Sequence, residues 1–229
     1  MKAGMRRAML LLSATTMALL ALTACSSGSS QEEVKARPLP EQHQDLRPGE
    51  YRSEEFKPSV SFRVGKGWAT SPPETSDVLQ LEYGETGAAG LAFTKVQKVY
   101  KPIHNPAQTS TPTLVKAPED LVGWFRNHPY LKTDKPEPIT VGGVKGQHFD
   151  LVAQVPEDHL SICGADCVDA IKYSGSEVVF FEGDKIHAIV LEDAKGETVY
   201  LDYGALASDF DKVAPEAQKL VESVKWRSS

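Results

Sequence analysis

Ile139-Thr140-Val141-Gly142-Gly143-Val144-Lys145-Gly146-Gln147-His148-Phe149-Asp150-Leu151-Val152-Ala153-Gln154-Val155 is the stretch whose reading settles the fold. Two runs with strand character flank Gly142-Gly143, and adjacent glycines take the positive φ values of a two-residue hairpin turn at little steric cost. The two arms should therefore run antiparallel. Downstream, Val178 to Phe181, Ile186 to Leu191 and Thr198 to Tyr203 are joined through Gly183-Asp184 and Lys195-Gly196, which predicts a meander. Upstream, Val60, Phe62 and Val64 alternate with Ser61 and Arg63, Leu79, Leu81 and Tyr83 form a second alternating set, and Leu91 to Val99 a third. Connections this short leave no room for the crossover helices of a parallel sheet.

Two helices complete the pattern. Pro118-Glu119-Asp120 should open one, with Leu121, Val122, Trp124 and Phe125 on its buried face and a stop at His128, before Pro129. The second runs from Asp209 through Pro215 to Val224, with Leu220, Val221 and Val224 at helical spacing and Trp226 just beyond. The predicted class is α+β, an antiparallel β-sheet packed with helices. Between Lys101 and Pro118, four prolines remove amide donors and fix φ, so a long exposed loop is expected with neither helix nor ladder. A second long loop is expected from Pro156 to Gly175. Long loops in a compact domain are usually either functional or disordered, so these two are the expected contact surfaces.

The N-terminus reads as a delivery signal. Lys2, Arg6 and Arg7 precede an uncharged apolar run from Ala8 to Leu22, with no acidic residue before Cys25. That run falls short of the ~20 residues that a helix needs to span a bilayer. Leu22-Thr23-Ala24-Cys25, followed by Ser26-Ser27-Gly28-Ser29-Ser30, resembles the lipobox of bacterial lipoproteins. The resemblance implies cleavage before Cys25 and a diacylglyceryl group on its thiol; two acyl chains, each gaining roughly 0.8 kcal/mol per buried CH₂, are what stable anchoring requires. The expected organisation is a signal peptide over 1–24, a lipidated cysteine and disordered tether over 25–48, and a single domain over 49–229. The expected location is the extracytoplasmic face of the cell membrane, held through lipid on Cys25.

Composition narrows the function classes. The chain carries 25 basic and 31 acidic residues, a net charge of −6, and removing the signal removes three basic residues and no acidic one. An acidic body without a basic run is no partner for nucleic acid, whose binding needs clustered Lys and Arg to displace counterions.

Phe56 to Phe62 (Phe-x-Pro-Ser-Val-Ser-Phe), Gly67-Trp68, Thr140 to Gly143 with Gly146, and Pro215-Glu216-Ala217-Gln218 with Ser223-Val224-Lys225-Trp226 are scattered over most of residues 49 to 226. Together they resemble secreted actinobacterial lipoproteins with a PsbP-like, LpqN-type domain. The resemblance implies a PsbP-like architecture and a non-catalytic binding or accessory role at the cell envelope, toward a protein, a polymer or a small ligand. It implies no catalytic residue and no cofactor.

The residues offer three chemistries to weigh. Cys163 and Cys167 in an exported chain favour a disulfide, worth roughly 2 kcal/mol in so short a ring. His159, Cys163 and Cys167 could instead hold copper or zinc, although no fourth ligand is identifiable, and a redox-active thiol pair is a further option. His148 and Asp150 lie two apart on a predicted strand, hence on one face opposite Phe149 and Leu151, and could serve a cell-envelope hydrolase as an acid–base pair. No Gly-x-Ser-x-Gly setting accompanies them, so a solvated polar face is the reading of choice. His187, alternating with Ile189 and Leu191, reads as a partly buried polar residue. No catalytic residue, metal site or cofactor is assigned.

Overall fold

The computed structural model describes residues 35–102, 112–156 and 166–227. Strands β1 (Arg37–Pro38), β2 (Gly49–Arg52), β3 (Val60–Val64), β4 (Trp68–Ser71), β5 (Val78–Tyr83), β6 (Ala89–Lys95), β7 (Lys98–Tyr100) and β8 (Leu114–Lys116) precede helix α1 (Leu121–Arg126). Then come β9 (Leu131–Thr133), β10 (Glu137–Val141), β11 (Val144–Ala153), β12 (Cys167–Tyr173), β13 (Ser176–Phe181), β14 (Asp184–Ala194) and β15 (Glu197–Leu206). Helix α2 (Phe210–Glu222) and β16 (Lys225–Trp226) close the order.

The main sheet runs β10-β11-β14-β15-β6-β5-β4, with β9 also on β11. Smaller sheets run β1-β2-β3-β16 and β13-β12-β7-β8. Every strand pairing is antiparallel except β1 with β2. Among the described residues the architecture is thus mostly antiparallel and sheet-dominated, with two helices, and meets the α+β expectation only loosely.

The expected hairpin forms between β10 and β11, with φ of +57° at Gly142 and +85° at Gly143. Gly142 is required for a second reason: a Cβ there would lie 2.8 Å from Trp226 Cδ1 and 2.9 Å from the Val224 carbonyl oxygen. Trp226 Nε1 donates to the Val141 carbonyl at 2.9 Å, so the C-terminal strand is stitched to the hairpin.

The main sheet separates two apolar cores. On one face, Phe210, Ala217, Leu220 and Val221 of α2 pack against Leu201, Tyr203, Leu91 and Phe93. On the other, Phe125 of α1 meets Phe149, Phe180 and Tyr200 at ring distances of 5.6, 6.1 and 5.3 Å. Phe125 is fully buried, worth roughly 1.5–3 kcal/mol in transfer alone. Strand β14 is therefore buried on both faces, Ile189 and Leu191 facing one core and Ala188 and Val190 the other.

Four expectations are corrected. The tether expected to reach Pro48 instead joins the fold from Arg37, which pairs with Tyr51. The Arg37 guanidinium donates to the Arg47 and Pro48 carbonyls at 2.8 and 3.0 Å, and Leu39 and Leu46 enter the core. Within the proline-rich stretch, Leu114–Lys116 forms a ladder on β7, because the five residues from Thr113 to Ala117 are free of proline. The loop expected from Pro156 to Gly175 contains strand β12, whose Cys167, Val168, Ala170 and Ile171 are buried. Finally, α1 starts at Leu121 and ends at Arg126; Asp120 is its cap, accepting from the Gly123 amide at 2.6 Å, rather than a residue of its first turn.

Candidate functional site

Strand β11 directs Phe149 and Leu151 into the α1 core and His148 and Asp150 to the opposite face, as their spacing implies. Register then adds what the spacing could not. Asp150 lies directly across from His187 on β14, and His187 directly across from Tyr203 on β15. His187 Nδ1 is 2.7 Å from Asp150 Oδ1, and Lys185 Nζ is 3.1 Å from Asp150 Oδ2. Burial pushes the His187 imidazole below its usual range despite that carboxylate. Burial alone would raise the Asp150 carboxyl, but the bonds from His187 and Lys185 outweigh it and hold the group low. Near neutrality Asp150 is thus ionised and His187 neutral, with the proton on the Nδ1 that faces the carboxylate.

His148 does not pair with Asp150. Its ring centroid sits 5.0 Å from that of His187, and its Nδ1 is buried without a hydrogen-bond partner. The His148/Asp150 acid–base pair, the alternative to the preferred solvated polar face, does not form; Asp150 pairs with His187 instead. The His187 bond runs to a carboxylate rather than to a hydroxyl or thiol, and its ring stacks on Tyr203 at 4.8 Å. The arrangement holds charge and orients an imidazole; a nucleophile would have to come from elsewhere.

Cys167 opens β12, fully buried, and its side chain is engaged rather than free. Cys163, His159 and Cys25, the expected lipidation site, lie outside the described residues, as do residues 103–111 of the expected contact loop. Among the described residues no three His, Cys, Asp or Glu side chains converge as a metal set.

The reverse face of the main sheet carries a cleft of about 300 Å³. Small residues make its floor: Gly90 and Ala92 on β6 and Gly204 on β15. Phe181 of β13 lines it as well, 45% exposed, and Leu206, 49% exposed, follows Gly204 on the same face of β15. Asp202, across from Ala92 and Ala188, also lines the cleft, and its Oδ1 is shut off from solvent with no hydrogen-bond partner. Loss of hydration pushes its carboxyl up to about 7. Asp184, at the same cleft, is raised by burial too. Nothing in the strand pattern marked Asp202, since a polar residue alternating with Leu201 and Tyr203 reads as the solvent face of a one-sided sheet. Only the second core on the reverse face makes it a buried acid. A second cavity, of about 550 Å³, lies beside Pro38 and Glu74; the Glu74 carboxylate accepts the amides of Glu54, Glu55 and Phe56 at 3.4, 3.3 and 3.0 Å.

No family model matches the chain, and no curated protein matches it. Among solved structures it is similar to a crystal structure from Bacteroides thetaiotaomicron VPI-5482, at 7% identity and a TM-score of 0.36, over 74% of this chain and 46% of that one. The chain thus spans about half the length of that protein. It is similar to the solution structure of cyanobacterial PsbP (CyanoP) from Synechocystis sp. PCC 6803, at 10% identity and a TM-score of 0.42, over 80% and 95% of the two chains. It is also similar to LpqN, involved in cell envelope biogenesis of Mycobacterium tuberculosis, at 12% identity and a TM-score of 0.37, over 80% and 90%.

Proposed function

We propose that the protein is an extracytoplasmic lipoprotein, anchored through lipid on Cys25, whose PsbP-like domain binds a ligand at the cell envelope without transforming it. The observation that carries the binding reading is the cleft on the reverse face of the main sheet, with an unpartnered carboxylate oxygen beside its floor. Buried polar atoms are nearly always satisfied, so an acid with an unpartnered oxygen that lines a surface cleft marks a place where a ligand donor belongs. The disulfide between Cys163 and Cys167 belongs to the same reading, as a clamp on the segment leading into β12.

A cell-envelope hydrolase is the second reading, and it rests on the 2.7 Å Asp150–His187 contact. The two readings put the ligand on opposite faces of one sheet. A photo-reactive benzoylphenylalanine placed at Phe181, with Lys212 on the exposed side of α2 as the control position, tests them in cells. The binding reading expects an adduct of defined mass from position 181 and none from 212. Equal labelling at both positions, or none at 181, contradicts it.

A further inference from the structure

We propose that the cleft floored by Gly90, Ala92 and Gly204 binds a small primary ammonium ion, its N–H groups on Asp202 and its alkyl body against Phe181 and Leu206. The inference rests on the binding reading above and names its ligand class.

Three observations converge on it. First, Asp202 lines the cleft and its Oδ1 has no hydrogen-bond partner, and burying a carboxylate unpaired is far costlier than burying it beside a cation. Second, the remaining ionisable residues lining the cleft are Glu82 and Asp184, with no Lys or Arg among them, so an anion is repelled. Glu82 Oε2 lies 3.8 Å from His43 Nδ1, whereas neither Asp184 nor Asp202 has an ion-pair partner among the described residues. Third, Phe181, which lines the cleft, is 45% exposed, and Leu206, directly across from the cleft residue Asp184, is 49% exposed, which leaves a ring and an aliphatic side chain for an apolar stem. An aromatic face also attracts a cation directly.

A primary ammonium fits better than a quaternary one. Its three N–H donors can serve the Asp202 carboxylate and Gln80, another residue lining the cleft, whereas a quaternary nitrogen donates nothing. A metal ion is less suited, because the described residues bring no three ligating side chains together there. Deeper on the same face, Tyr200 and Thr94 are paired across the strands, and each keeps an unpartnered oxygen. The polar track beneath Asp202 thus has unused hydrogen-bonding capacity.

The test uses the full chain in a non-ionic detergent, with n-butylammonium as probe and 1-butanol and butyrate as its neutral and anionic isosteres, followed by ligand-observed NMR titration. At pH 8 the ammonium should bind at least about tenfold more tightly than the alcohol, the tenfold step matching a single charge-assisted hydrogen bond. Asp202→Asn should bring the two to parity. On the unaltered chain, affinity for the ammonium should fall about tenfold from pH 8 to pH 6 as Asp202 takes up its proton, Tyr200, Glu82 and Asp184 being the other titratable groups on that face. Equal binding of ammonium and alcohol overturns the ligand class while leaving the binding module standing. Binding of none of the three probes overturns both for this cleft. Ammonium binding that survives Asp202→Asn undiminished also overturns the proposal.

Discussion

Replacing Asp202 by Asn should stabilise the protein at alkaline pH and leave it nearly unchanged in acid. Burial raises the Asp202 carboxyl from 3.8 to about 7 in the folded chain. The folded state therefore holds this proton more tightly than the unfolded state, and stability falls as pH rises between about 4 and 7. A shift of about three units at 1.36 kcal/mol each sets a ceiling of about 4 kcal/mol. Part of the residue reaches solvent, which screens the charge, so about 2 kcal/mol is the expected size. Asn is neutral throughout and keeps the shape. Urea denaturation followed by tryptophan fluorescence at pH 4, 6 and 8 should show variant and parent within about 0.5 kcal/mol at pH 4 and the variant ahead by about 2 kcal/mol at pH 8. A stability difference independent of pH, or a variant weaker at pH 8, would refute the buried-acid argument.

Phe125→Ala should cost about 3–5 kcal/mol in the same denaturation assay, because it empties a ring position touched by Phe149, Phe180 and Tyr200. Asp150→Ala should cost about 1–3 kcal/mol near neutrality, since it strips Lys185 and His187 of their acceptor. The Asp150 carboxyl is held low when folded, so its contribution is present above about pH 4 and lost as pH falls through the folded value; the variant should show a flatter acid limb. Intact mass of the chain purified without reductant should be two protons light, with Cys163 and Cys167 resisting alkylation under denaturing conditions. Free alkylation of both would restore the metal and dithiol readings.

Many of the strands were legible because they obey simple rules. The Gly142-Gly143 turn, the alternation over Val60–Val64 and the strands over Ile186–Leu191 and Thr198–Tyr203 appear where their patterns place them, but Val178–Phe181 pairs with β12 in a smaller sheet rather than with β14, so the expected three-strand meander reduces to the β14–β15 pair. What escaped has a physical cause in each case. Strand β12 sits behind two cysteines and a glycine, which reads as loop until Val168, Ala170 and Ile171 find their core. Leu39 and Leu46 are two apolar residues in a polar, proline-bearing stretch, and only tertiary packing reveals that they are buried. The candidate sites were harder still. His148 and Asp150 were found by period-two spacing, but the true partner His187 stands across a strand boundary, and register between strands is not written in either strand alone. Asp202 became visible only once both faces of the sheet were known to be covered.

The most direct test of the central claim, a binding module held at the membrane by lipid, is the mass of the N-terminal peptide from chain extracted from membranes, beside a Cys25→Ala variant. The account expects a peptide that begins at Cys25 and carries a diacylglyceryl thioether, with the variant unlipidated and absent from that site. An N-terminus elsewhere, or Cys25 recovered as an unmodified thiol, would contradict it.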